Sequence, residues 1–145
     1  QPVFIDLDMN TVEPAVGARR MDKIYAWKSM LDMGIHASGG SDAPVVSFDA
    51  MENIYFAVTR KNIKGQPEEG WIPSEKMSVD EAVKLFTKNA AYASYTEKEN
   101  GTIETGKNAD LVVLEKDIYS IDPDEIKTVK VDMTVLGGKV VFERE

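Results

Sequence analysis

Apolar residues cluster near the start of the chain and then recur at helical spacing. Residues 2–7 form a short, mostly apolar run, which predicts a buried strand. Residues 8–17 are polar and interrupted by proline and glycine, a composition typical of a loop. Within residues 20–33, apolar side chains recur at i, i+3 and i+7, so this segment predicts an amphipathic helix, and Gly34 is suited to end it.

The same order of elements repeats in the next part of the chain. Residues 35–38 predict a short strand, a glycine-rich turn follows, and residues 49–60 predict a second helix. Alternating strands and helices are typical of α/β proteins with a parallel sheet. Residues 61–77 show no periodicity, and irregular segments of this length are usually functional or mobile. Trp71, within this segment, is expected to cover a pocket or to pack against its own loop.

The remaining sequence predicts one well-defined helix and then a β-rich end. Ser78 and Glu81 have the spacing of a capping box, in which each side chain accepts a hydrogen bond from the other residue's backbone N–H. The apolar stripe behind them extends the predicted helix over residues 79–92. The apolar period then changes to that of strands, with tight turns predicted at residues 105–107 and 137–138.

Composition narrows the classes of protein that fit this pattern. The 145 residues, 43% of them hydrophobic, suffice for one globular core and not for two large domains. The net charge of −8 and the pI of about 4.7 disfavour binding to nucleic acid or to an anionic membrane. No apolar run approaches the roughly 20 residues that span a bilayer. We therefore expect neither nucleic acid nor membrane among the partners.

Cysteine usage and the first residue add two expectations. Without cysteine the chain has no disulfide and no thiolate, which fits a reducing compartment and makes the cytoplasm the expected location. The chain opens without methionine, directly in the predicted first strand. A natural domain rarely starts there, so the sequence is expected to be a fragment of a longer parent protein.

The stretch IHASGGSDAP, residues 35–44, holds the main candidate for chemistry. It places Asp42 just past an apolar run, where many α/β enzymes keep a catalytic carboxylate at a strand end. An Asx-turn or an N-cap would use the same residue type, and on spacing alone the signal is weak. Gly39 and Gly40 are expected to let the chain turn sharply before Asp42.

The only histidine, His36, lies in the same stretch. A zinc site needs three or four protein ligands, and one histidine with one aspartate does not complete it, so a structural role is favoured for His36. Serine catalysis by Ser41 is disfavoured, because the one available base, His36, lies in the preceding predicted strand. The sequence also lacks the P-loop, GxGxxG, GxSxG and HExxH motifs.

Several stretches, taken in order, resemble one known family. SGGSDAPV, AVTRK and GWIPSEKMSVDEAVKLFTKNAAYAS, followed by GKNADLVVL at residues 106–114, are similar to the C-terminal portion of the amidohydrolase superfamily, specifically amidohydrolase family 3. The GKNADLVVL element is common across the superfamily, whereas its combination with SGGSDAPV and AVTRK is more specific. The resemblance spans nearly the whole chain.

The resemblance implies a fold and a division of the chain. Members of the family have a (β/α)8 barrel that binds one or two divalent metals, commonly zinc, and a small β-sandwich assembled from both ends of the chain. Because such a barrel takes about 250 residues, this chain is expected to be an α/β fragment. It would hold the last strand–helix units of the metallo-hydrolase barrel in residues 1–100 and the closing strands of the composite β-sandwich in residues 101–145.

The resemblance also assigns a role to Asp42, which matches the aspartate after the last barrel strand. In the family this residue ligates or adjoins the metal and takes the proton of the attacking water. Asp42 is therefore the candidate catalytic residue and metal ligand. The family's histidine ligands have no counterpart here, so the fragment is expected to hold no tightly bound cofactor and to be inactive alone.

Two functions of different class follow for the parent protein. The first is a metal-dependent hydrolase that cleaves amide-type, non-peptide C–N bonds of a small-molecule substrate, with a divalent metal, expected to be zinc, and Asp42 as proton acceptor. The second is a non-catalytic relative that binds a ligand or has a regulatory role. The fragment itself is expected to self-associate, because strand edges and apolar faces that meet the rest of the barrel would be left open.

Overall fold

Short helices occupy the larger, N-terminal part of the chain, and an antiparallel sheet occupies its end. The computed structural model describes residues 1–145, and none of its helices is both long and apolar enough to cross a membrane. The elements are helices α1 (Phe4–Asp8), α2 (Val12–Val16), α3 (Trp27–Asp32), α4 (Ala50–Thr59), α5 (Val79–Phe86) and α6 (Lys88–Ala93), 3₁₀ helices at Ala18–Lys23, Pro73–Glu75 and Pro123–Thr128, and strands β1 (Leu111–Leu114), β2 (Val131–Leu136) and β3 (Lys139–Glu143).

Helix α4 is the centre of the core. Its residues 53–59 are all buried, which is the pattern of a helix enclosed on every side. Ile5 of α1, Leu85 of α5 and Ile126 of the last 3₁₀ helix belong to the same apolar cluster. The core therefore joins residues from the beginning, the middle and the end of the chain around one helix.

The strand predicted over residues 2–7 is wrong, because the segment forms α1. No strand lies beside it to pair with its backbone, so its N–H groups bond locally, as from Phe4 N to Gln1 O and from Ile5 N to Pro2 O, both at 3.1 Å. The apolar character still leads to burial, which is complete for Ile5. A short apolar run fits a helix or a strand, and its neighbours decide between them.

Two further predictions near the N-terminus are corrected. Residues 8–17, predicted as a loop, contain α2. The single helix predicted over residues 20–33 is divided into the 3₁₀ helix Ala18–Lys23 and α3, because Tyr25 between them has a left-handed φ of 48°. The predicted end is confirmed, since Gly34 follows α3 with a φ of 79°.

A parallel sheet is not formed within these residues. Residues 35–38, predicted as a strand, pair with no strand, and the one sheet present has the antiparallel order β1-β2-β3. Helices take the place of a neighbouring strand: Gly39 N donates to Leu85 O and Asn89 Nδ2 donates to Ala37 O, both at 2.9 Å. A strand requires a partner backbone along its edge, and this segment meets helical groups instead.

The helix predicted over residues 49–60 is confirmed as α4. The Asp49 carboxylate accepts a hydrogen bond from Met51 N at 2.8 Å and caps its first turn. Arg60 ends it with a left-handed φ of 58°. Residues 61–77 are irregular as predicted, apart from the 3₁₀ helix Pro73–Glu75.

The helix predicted over residues 79–92 begins as expected but is interrupted. Both hydrogen bonds of the capping box between Ser78 and Glu81 are present at the start of α5. Thr87, with φ −125° and ψ −96°, separates α5 from α6. Its hydroxyl donates to Val83 O at 2.9 Å, a side-chain bond of the type that bends helices.

The β-rich end is confirmed with one exception. β1 and β3 both pair antiparallel with β2. The turn between β2 and β3 is the predicted one at residues 137–138, where the two glycines have φ of 56° and 78°, as a tight hairpin turn requires. The turn predicted at residues 105–107 is present, but no strand precedes it.

The capping box gives a direct test of the α5 boundary. Ser78→Ala removes the hydroxyl that accepts from Glu81 N at 3.2 Å, so a backbone N–H at the helix start loses its partner. We expect the free energy of unfolding to fall by about 0.5–2 kcal/mol, measured by urea denaturation. Ser74→Ala is the control, because Ser74 is exposed and should change the free energy by less than about 0.5 kcal/mol. Equal effects of the two changes would contradict a stabilising cap.

Candidate functional site

The Asp42 carboxylate is exposed and has no bonding partner. Asp42 has a left-handed φ of 60°, and its backbone carbonyl accepts from Val45 N at 3.0 Å. Its carboxylate takes part in no hydrogen bond and no ion pair, whereas every other aspartate of the chain has such a partner. The N-cap of α4 is Asp49, and no backbone N–H donates to the Asp42 side chain. Neither an Asx-turn nor a cap therefore accounts for this residue.

The two glycines before Asp42 do not have the role expected of them. Neither Gly39 nor Gly40 has a positive φ, so the unusual backbone conformation lies at Asp42 itself. Gly39 is needed for close packing: a Cβ there would lie 2.6 Å from Cζ of Phe86. A Cβ at Gly40 would meet nothing within 4 Å.

Burial lowers the pKa of the Gln1 amino group, and the negative charge of Asp42 partly opposes this shift.

The structure does not bring His36 or Ser41 into a catalytic arrangement. The exposed His36 ring stacks on Tyr92 with centroids 4.5 Å apart and planes inclined by 28°. No hydrogen bond joins Ser41 to His36, so these residues form no nucleophile–base pair.

A carboxylate oxygen is a suitable zinc ligand, but Asp42 stands alone in this chain. No group of three or more histidine, cysteine, aspartate or glutamate side chains is close enough together to hold a metal ion. The residues present thus supply the correct chemistry for one ligand and do not form a closed set of ligands.

A buried arginine is the polar group that the sequence analysis missed. Arg60 is fully buried, with Nε donating to Trp71 O at 2.9 Å and Nη1 donating to Tyr25 O at 3.0 Å. Its guanidinium carbon lies 5.3 Å from the ring centre of Trp27 and 5.4 Å from that of Trp71, within cation–π range. Nη2 has no partner. Only its position directly after the apolar run of α4 could have signalled this burial.

Burial dominates the electrostatics of this arginine. It lowers the pKa of Arg60 to about 10, although the negative charge of Glu75 opposes the shift. Burial likewise raises the pKa of Tyr25 to about 12, together with the hydrogen bond from its hydroxyl to Asp8. Trp71 thus packs against Arg60 and Tyr25, which lie outside its own irregular segment.

An open cleft of about 1210 Å³ separates the helices from the sheet. Its helical wall includes Ile54 and Phe86, and its sheet wall includes Leu111 and Val135. Asp42 does not line it. The candidate carboxylate and this mainly apolar cleft are therefore at different places.

Comparison with known proteins gives a consistent family. The sequence model of the amidohydrolase family matches residues 1–142. The chain is 38% identical over 144 residues to YtcJ of Bacillus subtilis, a protein assigned by name to the amidohydrolases, covering 99% of this chain and 27% of that protein. It is 36% identical over 122 residues to the N-substituted formamide deformylase of Arthrobacter pascens, covering 84% of this chain and 22% of the enzyme. The chain therefore spans about a quarter of the length of these relatives.

The fold of the chain is similar to that of a solved structure. An uncharacterized metal-dependent hydrolase of Pyrococcus horikoshii superposes with a TM-score of 0.74 at 22% identity, over 85% of this chain and 25% of that structure. At this identity the likeness concerns the fold.

The difference between the two glycines gives a matched pair of substitutions. Gly39→Ala forces a methyl group against the Phe86 ring at 2.6 Å, so we expect a loss of about 1–3 kcal/mol in the free energy of unfolding. Gly40→Ala places its methyl in open space and should change that free energy by less than about 1 kcal/mol in either direction. Urea denaturation of both variants measures this, and a larger loss for Gly40→Ala would contradict the packing described.

Proposed function

The chain belongs to the amidohydrolase family, and from this membership we propose that its parent protein is a metal-dependent hydrolase that cleaves amide-type, non-peptide C–N bonds of small molecules. The observation that carries the proposal is the Asp42 carboxylate, the one aspartate without a hydrogen bond or ion pair. An exposed carboxylate without a partner is available to bind a cation or to move a proton.

We assign residues 1–100 to the last part of a (β/α)8 barrel and residues 101–145 to the closing strands of a composite β-sandwich. The superposition on the Pyrococcus horikoshii hydrolase supports a shared fold over 85% of the chain. The change from helices to an antiparallel sheet beyond residue 100 supports the boundary.

We further propose that the parent holds a divalent cation, with zinc as the proposed metal. Asp42 would be one of its ligands, and the remaining ligands would come from parts of the parent outside these residues. A bound zinc ion would supply a water whose pKa is lowered to about 7. The Asp42 carboxylate would accept a proton from the attacking water as the water oxygen forms its bond to the carbonyl carbon. The same carboxylate would return that proton to the departing nitrogen as the C–N bond breaks, so that the products are a carboxylic acid and an amine or ammonia.

Two accompanying expectations remain predictions. The cytoplasm stays the proposed location of the parent, because the chain has no cysteine. Self-association of the 145-residue chain is supported by β3, an edge strand whose five residues are all exposed, with Val140, Val141 and Phe142 among them.

Replacing the candidate carboxylate in the parent tests the proposed catalytic role. Asp42→Asn keeps the size of the side chain and removes the proton-accepting charge, so we expect kcat to fall by about 10²- to 10⁴-fold with the fold retained. The assay uses simple non-peptide amides, including an N-substituted formamide and 4-nitroacetanilide. Asp22→Asn is the control, because that exposed carboxylate pairs only with the adjacent Lys23 at 2.9 Å.

The possible outcomes of this assay separate the two functions. Near-normal turnover by Asp42→Asn would overturn the role of Asp42. A parent that binds these amides without cleaving any of them would favour the alternative of a non-catalytic ligand-binding or regulatory relative. Equal losses for Asp42→Asn and Asp22→Asn would indicate a general effect of surface charge.

Zinc titration of the 145-residue chain tests whether Asp42 depends on ligands from elsewhere. One carboxylate does not close a zinc coordination shell, so we expect only weak, non-stoichiometric heat in calorimetry and no hydrolysis of the same amides. Asp42→Asn should leave this titration unchanged. Tight binding of one zinc per chain would contradict the proposed division of the ligands.

A further inference from the structure

The break between α5 and α6 exposes groups that hold the segment before Asp42. Because the chain leaves helical geometry at Thr87, the Leu85 carbonyl accepts its hydrogen bond from Gly39 N, at 2.9 Å, rather than from within the helix. From the first turn of α6, the Asn89 amide donates through Nδ2 to Ala37 O at 2.9 Å. Two groups that flank the helix break thus bind the backbone of one short segment.

These two hydrogen bonds hold the backbone at Ala37 and Gly39 against the helix break. The Ala37 N–H itself donates locally, to Ile35 O at 3.0 Å. The Leu85 carbonyl supplies an acceptor to Gly39 N, and the Asn89 amide supplies a donor to Ala37 O. The Phe86 ring, between them in sequence, lies so close to Gly39 that a Cβ would clash.

We propose that Asn89, together with the Gly39–Phe86 contact, positions Asp42, an inference that rests on the proposed function. The Asp42 side chain has no hydrogen bond of its own, so its location depends on the backbone that carries it. That backbone is fixed at Ala37 and Gly39, a few residues upstream. Asn89 is therefore a positioning residue that acts through the backbone and not on the substrate.

The first test uses the 145-residue chain and does not depend on activity. Asn89→Asp keeps the shape of the side chain and removes the donor to Ala37 O, so the Gly39 amide should exchange with solvent at least about tenfold faster, measured by NMR. The Asp42 amide resonance should move as well. Asn108→Asp is the control, because it makes the same change of charge at an exposed asparagine whose side chain has no hydrogen bond. Unchanged Gly39 exchange in Asn89→Asp would overturn the proposal.

A second pair of variants tests the same idea through packing. Gly39→Ala should displace the Asp42 resonance, and adding Phe86→Leu should return it towards its original position, because the leucine lacks the ring atoms that the new methyl would meet. This rescue keeps the proposal testable even if Asn89→Asp fails to fold. A double variant that differs from the original chain as much as Gly39→Ala alone would count against positioning through this contact.

Kinetic measurements on the parent protein test whether the position of Asp42 affects catalysis. Asn89→Asp should lower kcat for the amides by about 10- to 100-fold with KM changed by less than about threefold, because misplacing a catalytic group slows the reaction more than it weakens binding. A faster-exchanging Gly39 with unchanged kcat would overturn the positioning role while leaving the proposed function intact. Loss of Gly39 protection in Asn89→Asp, combined with full activity of Asp42→Asn, would instead overturn the proposed function alone.

Discussion

The buried charge of Arg60 constrains the segments that pack around the end of the core helix α4. A guanidinium removed from water must be compensated by hydrogen bonds and by polarisable or charged neighbours. Here the compensation comes from two backbone carbonyls, two indole rings and the negative charge of Glu75. These groups lie at residues 25–27, around the start of α3, and in the irregular segment after α4, so compensating one charge holds two parts of the chain against the core helix.

The same charge explains why several backbone positions are unusual. Tyr25, Arg60 and Ile72 all have positive φ without being glycine, with values of 48°, 58° and 52°. Such conformations cost about 1–2 kcal/mol each and persist only where the surroundings determine them. Tyr25 presents its carbonyl to Arg60, and Ile72 follows the carbonyl of Trp71 that accepts from Arg60 Nε. Three of the five non-glycine residues with positive φ therefore lie where the backbone solvates the buried guanidinium, and the other two are Asp42 and Tyr95.

Local chemistry accounts for the parts of the fold that the sequence predicts correctly. The capping box at Ser78 and the hairpin turn at residues 137–138 depend on neighbours a few residues away, so their spacing is sufficient. Whether residues 2–7 form a helix or a strand depends instead on which backbone lies beside them. The break at Tyr25 likewise follows from a contact with Arg60 across 35 positions. Periodicity carries no information on such partners, and this is where the predictions were wrong.

The candidate site likewise depends on long-range contacts that the sequence does not reveal. Motif and resemblance locate Asp42, but nothing in the pattern of residues around it points to Asn89, whose contact with Ala37 spans 52 positions. The proposed role of Asp42 requires free lone pairs, and no residue binds its side chain. The location of that side chain then depends on the backbone, which Asn89 and Leu85 hold at Ala37 and Gly39. Resemblance singles out a candidate carboxylate, whereas contacts between distant segments, such as that of Asn89, are found only in the folded chain.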